Sequence, residues 1–114
     1  MAMIDTYDFG KIVIDGKEYR SDVIIYPDRV DGNWWRREGH KLCLDDLRDV
    51  LEARPEILIV GTGYSGLVQV LPEVETRLSQ MGIELRASRT ARACEQFNRL
   101  ASLRRVVAAL HLTC

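Results

Sequence analysis

Most of the features that announce a function class at sight are missing from this sequence. No apolar run approaches the roughly 20 residues needed to cross a bilayer, so no membrane span is expected. Sixteen Lys and Arg against 17 Asp and Glu leave a net charge of −1. A chain so balanced has no global field to draw it to nucleic acid or to an acidic membrane. Cysteine is scarce: Cys43, Cys94 and Cys114 are odd in number and far apart. That argues against a disulfide framework and fits free thiols in a reducing cytosol. The stretch MAMIDTYDFG has no basic segment followed by an apolar one. No secretory signal is read there, and a cytoplasmic location is expected. The phosphate-loop pattern G-x-x-x-x-G-K-[ST] is absent, and so are internal repeats, low-complexity tracts and linkers.

What remains is an ordinary folding sequence. At 114 residues and 46% hydrophobic, residues 1–114 form one domain able to bury a core without disulfides or metal. The first third reads as β. Lys11–Ile14 and Lys17–Arg20 flank Asp15-Gly16, a strong hairpin signal. Asp22–Tyr26 is a further strand stopped by Pro27. Asp31-Gly32 turns into Asn33-Trp34-Trp35-Arg36, where strand alternation would send one Trp to the core and the other over a cleft.

The rest alternates between helix and strand. Leu44, Leu47, Val50 and Leu51 have helical spacing, with Asp45 and Asp46 in the favourable first turn and Pro55 beyond the end. Ile57–Val60 is an all-aliphatic strand of the kind buried on both faces of a parallel sheet. Pro72 opens a second helix with Val74, Leu78 and Met81 inward and Gly82 as cap. Ile83–Ala87 is the next strand. Thr90 is read as the cap of a third helix, with Ala93, Cys94, Phe97, Leu100 and Ala101 inward. Val106–Leu112 is the last strand. The expected fold is α/β: a three-layer domain with a central mixed, largely parallel sheet, a C-terminal βαβαβ and an N-terminal antiparallel β layer.

One motif invites a chemical reading. Gly61-Thr62-Gly63-Tyr64-Ser65-Gly66 follows the aliphatic strand and matches G-x-G-x-x-G, the dinucleotide fingerprint. Such a site needs a helix that starts within the motif, so that its N-terminus meets the pyrophosphate. Here Leu67–Leu71 looks extended and Pro72 disfavours helix before it. Near the expected ribose acid, Glu84 lies at a strand start and Arg86 and Arg89 lie nearer its end. The motif therefore reads as a tight turn, and no cofactor is expected.

Other constellations are weaker. His40 with Cys43 and His111 with Cys114 offer four zinc-ligand types, but residues three apart on a strand face opposite sides. His111, in an apolar run, reads as a hydrogen-bonded core histidine, and no metal is expected. Cys94 lies near Arg89 and Arg92 at a helix start, a setting that lowers thiol pKa values, yet its helical phase matches Phe97 and Ala101 and makes it a packing residue. No catalytic residue is assigned.

The order of several short stretches matches a known family. Ile59-Val-Gly-Thr-Gly63, Leu71-Pro72, Gly82-Ile83 and Thr90 lead to Phe97-Asn98-x-Leu100 and Arg105-Val-Val-Ala-Ala-Leu110. Upstream lie Tyr19-Arg-Ser-Asp22, Tyr26-Pro-Asp28 and Trp35-Arg-Arg-Glu-Gly-His40. Over nearly its whole length the chain resembles the small uncharacterised α/β family of the animal adipogenesis-associated domain protein and a mitochondrial complex I assembly factor. The end His111-Leu-Thr-Cys114 is similar to that of archaeal or bacterial stand-alone members. The resemblance implies a mixed sheet flanked by helices and an extra β layer, with no established enzymatic activity. Bacterial members are linked by neighbourhood to membrane-protein insertion. It implies an accessory module with a protein partner.

In open parallel sheets, ligands bind beyond the carboxyl ends of the strands. Those ends here are 61–66, 88–90 and 111–114. Gly61, Thr62, Gly63, Tyr64, Arg89 and Thr90 are therefore the candidate ligand-binding residues, and a small anion is the candidate ligand. Two functions follow: a non-enzymatic binding or assembly-accessory module with a strand-end cleft, or a small-molecule or anion-binding enzyme built on the glycine loop with Arg89 and Thr90.

Overall fold

The structure is a computed structural model and describes residues 2–114. Three antiparallel strands open the chain: β1 (Ile4–Asp8), β2 (Lys11–Ile14) and β3 (Lys17–Tyr19). Asp15 and Gly16 join β2 to β3 with φ of 49° and 79°, the two positive values that a tight two-residue hairpin requires. The short strands β4 (Val23–Ile25), β5 (Val30–Asp31) and β6 (Lys41–Leu42) follow. A 3₁₀ turn at Leu44–Leu47 runs into α1 (Arg48–Ala53). Then come β7 (Ile57–Gly61), β8 (Gln69–Val70), α2 (Pro72–Gln80), β9 (Glu84–Ser88), α3 (Thr90–Leu100) and β10 (Val106–Leu110).

The central sheet has the order β5-β4-β10-β7-β9. β10, β7 and β9 are parallel, and β4 and β5 add antiparallel pairs on one side. The chain steps one way from β7 to β9 and back past β7 to β10. Crossovers of one hand then place α2 and α3 on opposite faces. Strand alternation divides the core accordingly. Ile57, Ile59, Ala108 and Leu110 pack with α3 and with Ile4, Ile12 and Ile14 of the N-terminal sheet. Leu58, Val60, Val107 and Ala109 pack with α1, α2, Trp34 and Leu42. Each large aliphatic side chain so buried contributes about 1.5–3 kcal/mol. The expected three-layer α/β arrangement is the one observed.

Several local expectations change. β1 was not foreseen, because Asp5, Thr6 and Asp8 interrupt its apolar pattern. Residues 33–36 form no strand. The two tryptophans still part, Trp34 buried and Trp35 77% exposed. The first helix splits into the 3₁₀ turn and α1 and ends at Arg54, whose φ of 46° breaks it before Pro55. The last strand stops at Leu110; His111 N still donates to Gly61 O of β7 at 3.0 Å, and the chain turns away after it. The extended stretch before Pro72 and the helix start at Pro72 are as expected.

Candidate functional site

The carboxyl ends of β7, β9 and β10 meet at one end of the sheet, and the segment 111–114 passes between them. At Gly61 an added Cβ would lie 2.8 Å from Thr90 Oγ1 and 2.9 Å from Leu110 Cδ2. The missing side chain is what lets α3 approach. At Gly63, with φ of 112°, a Cβ would collide with the backbone of Cys114. Gly63 therefore serves the close passage of 111–114 beside the loop.

The backbone donors of the glycine loop face inward. Thr62 N donates to Ser88 O at 2.8 Å, Tyr64 N to Thr113 O at 2.6 Å and Leu67 N to Cys114 O at 3.1 Å. Gly66 N donates to Gly63 O at 3.2 Å. Gly63 N donates to Thr90 Oγ1 at 2.9 Å, and that hydroxyl donates to His111 O at 2.6 Å. Thr90 is therefore not the cap of α3. It is the first helical residue, Arg89 holds the cap position without a side-chain cap bond, and the buried Thr90 hydroxyl ties three segments together. Of the expected ligand-binding residues, Gly61, Thr62, Gly63 and Thr90 are occupied with this internal network. Arg89 and Tyr64 point outward and are exposed. The Arg89 side chain runs along Gly66, where a Cβ would lie 3.3 Å from Arg89 Cγ.

A second constellation lies beside segment 111–114 and was not assembled from the sequence. Asp22 Oδ2 accepts from Arg36 Nη1 at 2.8 Å and from His111 Nδ1 at 2.7 Å, and Asp22 Oδ1 accepts from Leu112 N at 2.8 Å. Arg36 also donates from Nε and Nη2 to Gly39 O at 3.1 and 3.0 Å and stacks on Trp34 at 4.9 Å. Burial alone would raise the pKa of Asp22. Hydrogen bonds from His111, Leu112 N and Arg36 outweigh it and hold the carboxyl below its ordinary value. An ionised carboxylate can only accept, so His111 Nδ1 carries a hydrogen and donates it to Asp22. The 3.0 Å approach of Arg36 Nη2 to Nδ1 is then a close contact rather than a second hydrogen bond. His111 is buried and hydrogen-bonded, as the sequence suggested. Its partner Asp22 was hidden because 89 residues separate the two.

These groups line a cavity of about 440 Å³ with Trp35 and Thr113 on its wall. Cys94 is buried, and desolvation followed by the charge of Glu95 pushes its thiol up to about 12. Among the described residues, no three or more His, Cys, Asp or Glu side chains are grouped to hold a metal ion. No helix among them is long and apolar enough to cross a membrane.

Residues 4–111 match the family model described as protein of unknown function (DUF498/DUF598). The chain belongs to that family. A curated relative is the NADH dehydrogenase [ubiquinone] 1 alpha subcomplex assembly factor 3 of Xenopus tropicalis, 31% identical over 109 residues. The match takes in 93% of this chain and 58% of the assembly factor, so the chain spans little more than half of that relative. A conserved hypothetical protein of Pyrococcus horikoshii OT3 has the same fold, with 31% identity, a TM-score of 0.84 and 97% and 98% of the two chains covered. A Bartonella henselae structure described as an outer membrane protein also matches. It has 28% identity and a TM-score of 0.84, over 99% of this chain and 96% of that one. The α/β fold and the family expected from the sequence are thus both found.

Proposed function

We propose that this protein is a non-enzymatic binding module of the assembly-accessory kind, acting through protein contacts at the carboxyl ends of its central strands. The apolar surface beside the glycine loop carries this reading. Phe9, Tyr64 and Leu67 are 54%, 53% and 50% exposed. Phe9 and Tyr64 meet edge to face at 5.6 Å, and the backbones of Tyr64 and Leu67 are both tied to segment 113–114. Aromatic side chains held on a rigid backbone are the usual anchors of protein interfaces. The assembly-factor name of the Xenopus relative supports the same reading. Three free thiols, Cys43, Cys94 and Cys114, suit action in a reducing cytoplasm.

Co-purification with tagged wild-type protein and with Tyr64→Ser tests the proposal. A specific partner should be retained by the wild type and reduced at least tenfold by the substitution. Repeated recovery of free protein alone, or a partner indifferent to Tyr64→Ser, would refute it.

The second reading is an enzyme or binder of a small anion at the glycine loop with Arg89 and Thr90. The adjacency of Gly66 and Arg89 favours it. The prior commitment of the loop's N–H groups leaves the Arg89 guanidinium as its main donor. Its mark would be a phosphate-dependent rise in melting temperature that vanishes in Arg89→Ala at constant ionic strength.

A further inference from the structure

We infer that the cavity beside His111 is a binding site for a flat aromatic molecule carrying a hydroxyl or N–H donor on its edge. Three features of the cavity select this class. The first is a fixed aromatic wall. Trp35 is the most exposed large apolar side chain described, at 77%, yet its Nε1 is anchored to Asn33 Oδ1 at 2.8 Å. An indole held in place and left open to solvent offers a stacking surface whose ordering cost is already met.

The second is an acceptor held by its neighbours. His111 lines the cavity. Its Nδ1 is committed to Asp22 at 2.7 Å, while Nε2 has only the weak contact with Thr113 Oγ1 at 3.4 Å. In the neutral ring the bond to Asp22 selects the Nδ1–H tautomer and leaves Nε2 as the acceptor. Arg36 Nη1 pairs with the same carboxylate at 2.8 Å. Replacing a buried ion pair by apolar side chains is often neutral or stabilising. Stability alone thus gives little reason for Arg36, Asp22 and His111 to be here, whereas holding one ring nitrogen in a set state does.

The third is size. About 440 Å³ falls in the ordinary range of small-molecule pockets, about 300–1,000 Å³, and accommodates one or two fused rings. This inference goes beyond the protein-contact proposal and uses none of its exposed apolar residues, sharing with it only Thr113, whose carbonyl holds Tyr64 N. Loss of partner binding in Tyr64→Ser and loss of ligand binding here are separate results.

Phenol is the smallest probe of the class, and anisole is the same ring without the donor. Each is titrated into ¹⁵N-labelled full-length protein and followed by NMR. Phenol should give saturable shifts at the Trp35 indole N–H and at the Gly39 and Thr113 amides. Anisole should bind roughly three- to tenfold more weakly, the worth of one neutral hydrogen bond. Trp35→Ala, at an exposed position, should abolish both. His111→Asn keeps a donor for Asp22 and lacks Nε2, so phenol and anisole should then bind alike. The wild-type comparison stands even if that variant is unstable. No saturable phenol shift, equal affinity for anisole, or shifts centred away from the cavity would overturn the assignment.

Discussion

Asp22→Asn should be among the most damaging single substitutions in the chain, although Asp22 is only a loop residue before β4. The amide keeps the shape and one acceptor oxygen but removes the charge and turns an NH₂ toward a donor. Arg36 Nη1 at 2.8 Å and His111 Nδ1 at 2.7 Å share Oδ2, and Leu112 N takes Oδ1. One of these donors must lose its acceptor. Arg36 stays charged in every accessible pH range, and its side chain is 5% exposed. Stranding one member of a buried pair costs about 3–5 kcal/mol. Asp22 retains 16% exposure, which places the loss near the lower end, about 3 kcal/mol. With about 4–8 °C per kcal/mol for a domain near this size, the melting temperature should fall by roughly 12–24 °C.

Urea and thermal unfolding followed by circular dichroism would measure this. Two further results belong to the same reasoning. Adding Arg36→Met should restore part of the loss, because no unpaired charge then remains. The effect should also depend on pH with a defined sign. The folded-state pKa of Asp22 is depressed, so its contribution is full above the unfolded value of about 3.9. It is lost as pH falls through the lower folded value. The stability gap between wild type and Asp22→Asn should therefore be constant near neutrality and narrow below about pH 4. A loss under about 1 kcal/mol, or a double variant as unstable as the sum of its parts, would refute the claim that Arg36 depends on Asp22.

Two other outcomes are expected. Gly63→Ala should destabilise by about 2–4 kcal/mol in the same unfolding assay, from positive-φ strain and from displacing segment 113–114 with its bonds to Tyr64 N and Leu67 N; a loss below about 0.5 kcal/mol would mean that the segment yields freely. Iodoacetamide at pH 8 should label exposed Cys114 first, Cys43 more slowly because burial and the hydrogen bond to Asp46 raise its thiol, and Cys94 last because its thiol stands at about 12; mass spectrometry showing Cys94 labelled as fast as Cys114 in folded protein would contradict the burial argument.

The layers of the fold were legible because periodicity reports burial directly. Ile57–Val60 is buried on both faces and reads as an unbroken aliphatic run, whereas α2 and α3 show their inward residues at helical spacing. β1 was illegible for the same reason: of its five residues only Ile4 is buried, so no alternation marks it. The candidate site was legible in part. Topology alone brings loops 61–66, 88–90 and 111–114 to one end of the sheet. Thr90 was misassigned because a helix-start threonine usually caps its own helix, whereas here a competing acceptor and donor, His111 O and Gly63 N, lie within reach across the fold. Asp22 and Arg36 carried no local signal. Each reads as an ordinary polar residue at the edge of an expected strand until tertiary structure removes it from water and sets it against His111.

The glycine loop shows how one sequence pattern serves two physical ends. In a dinucleotide site, the glycines expose N–H groups to a pyrophosphate, and a helix starting within the motif adds its dipole. Here Leu71-Pro72 postpones α2, and the loop turns its N–H groups onto Ser88, Thr90, Thr113 and Cys114. The second glycine still permits a close approach, but what approaches is the protein's own backbone. N–H groups engaged this way are not available to a phosphate. The loop's outward chemistry passes to side chains: Tyr64 beside Phe9, the exposed Leu67, and Arg89 along Gly66. On the reading proposed above, recognition at this end of the sheet would rest on apolar and aromatic contact rather than on backbone-and-dipole capture of anions.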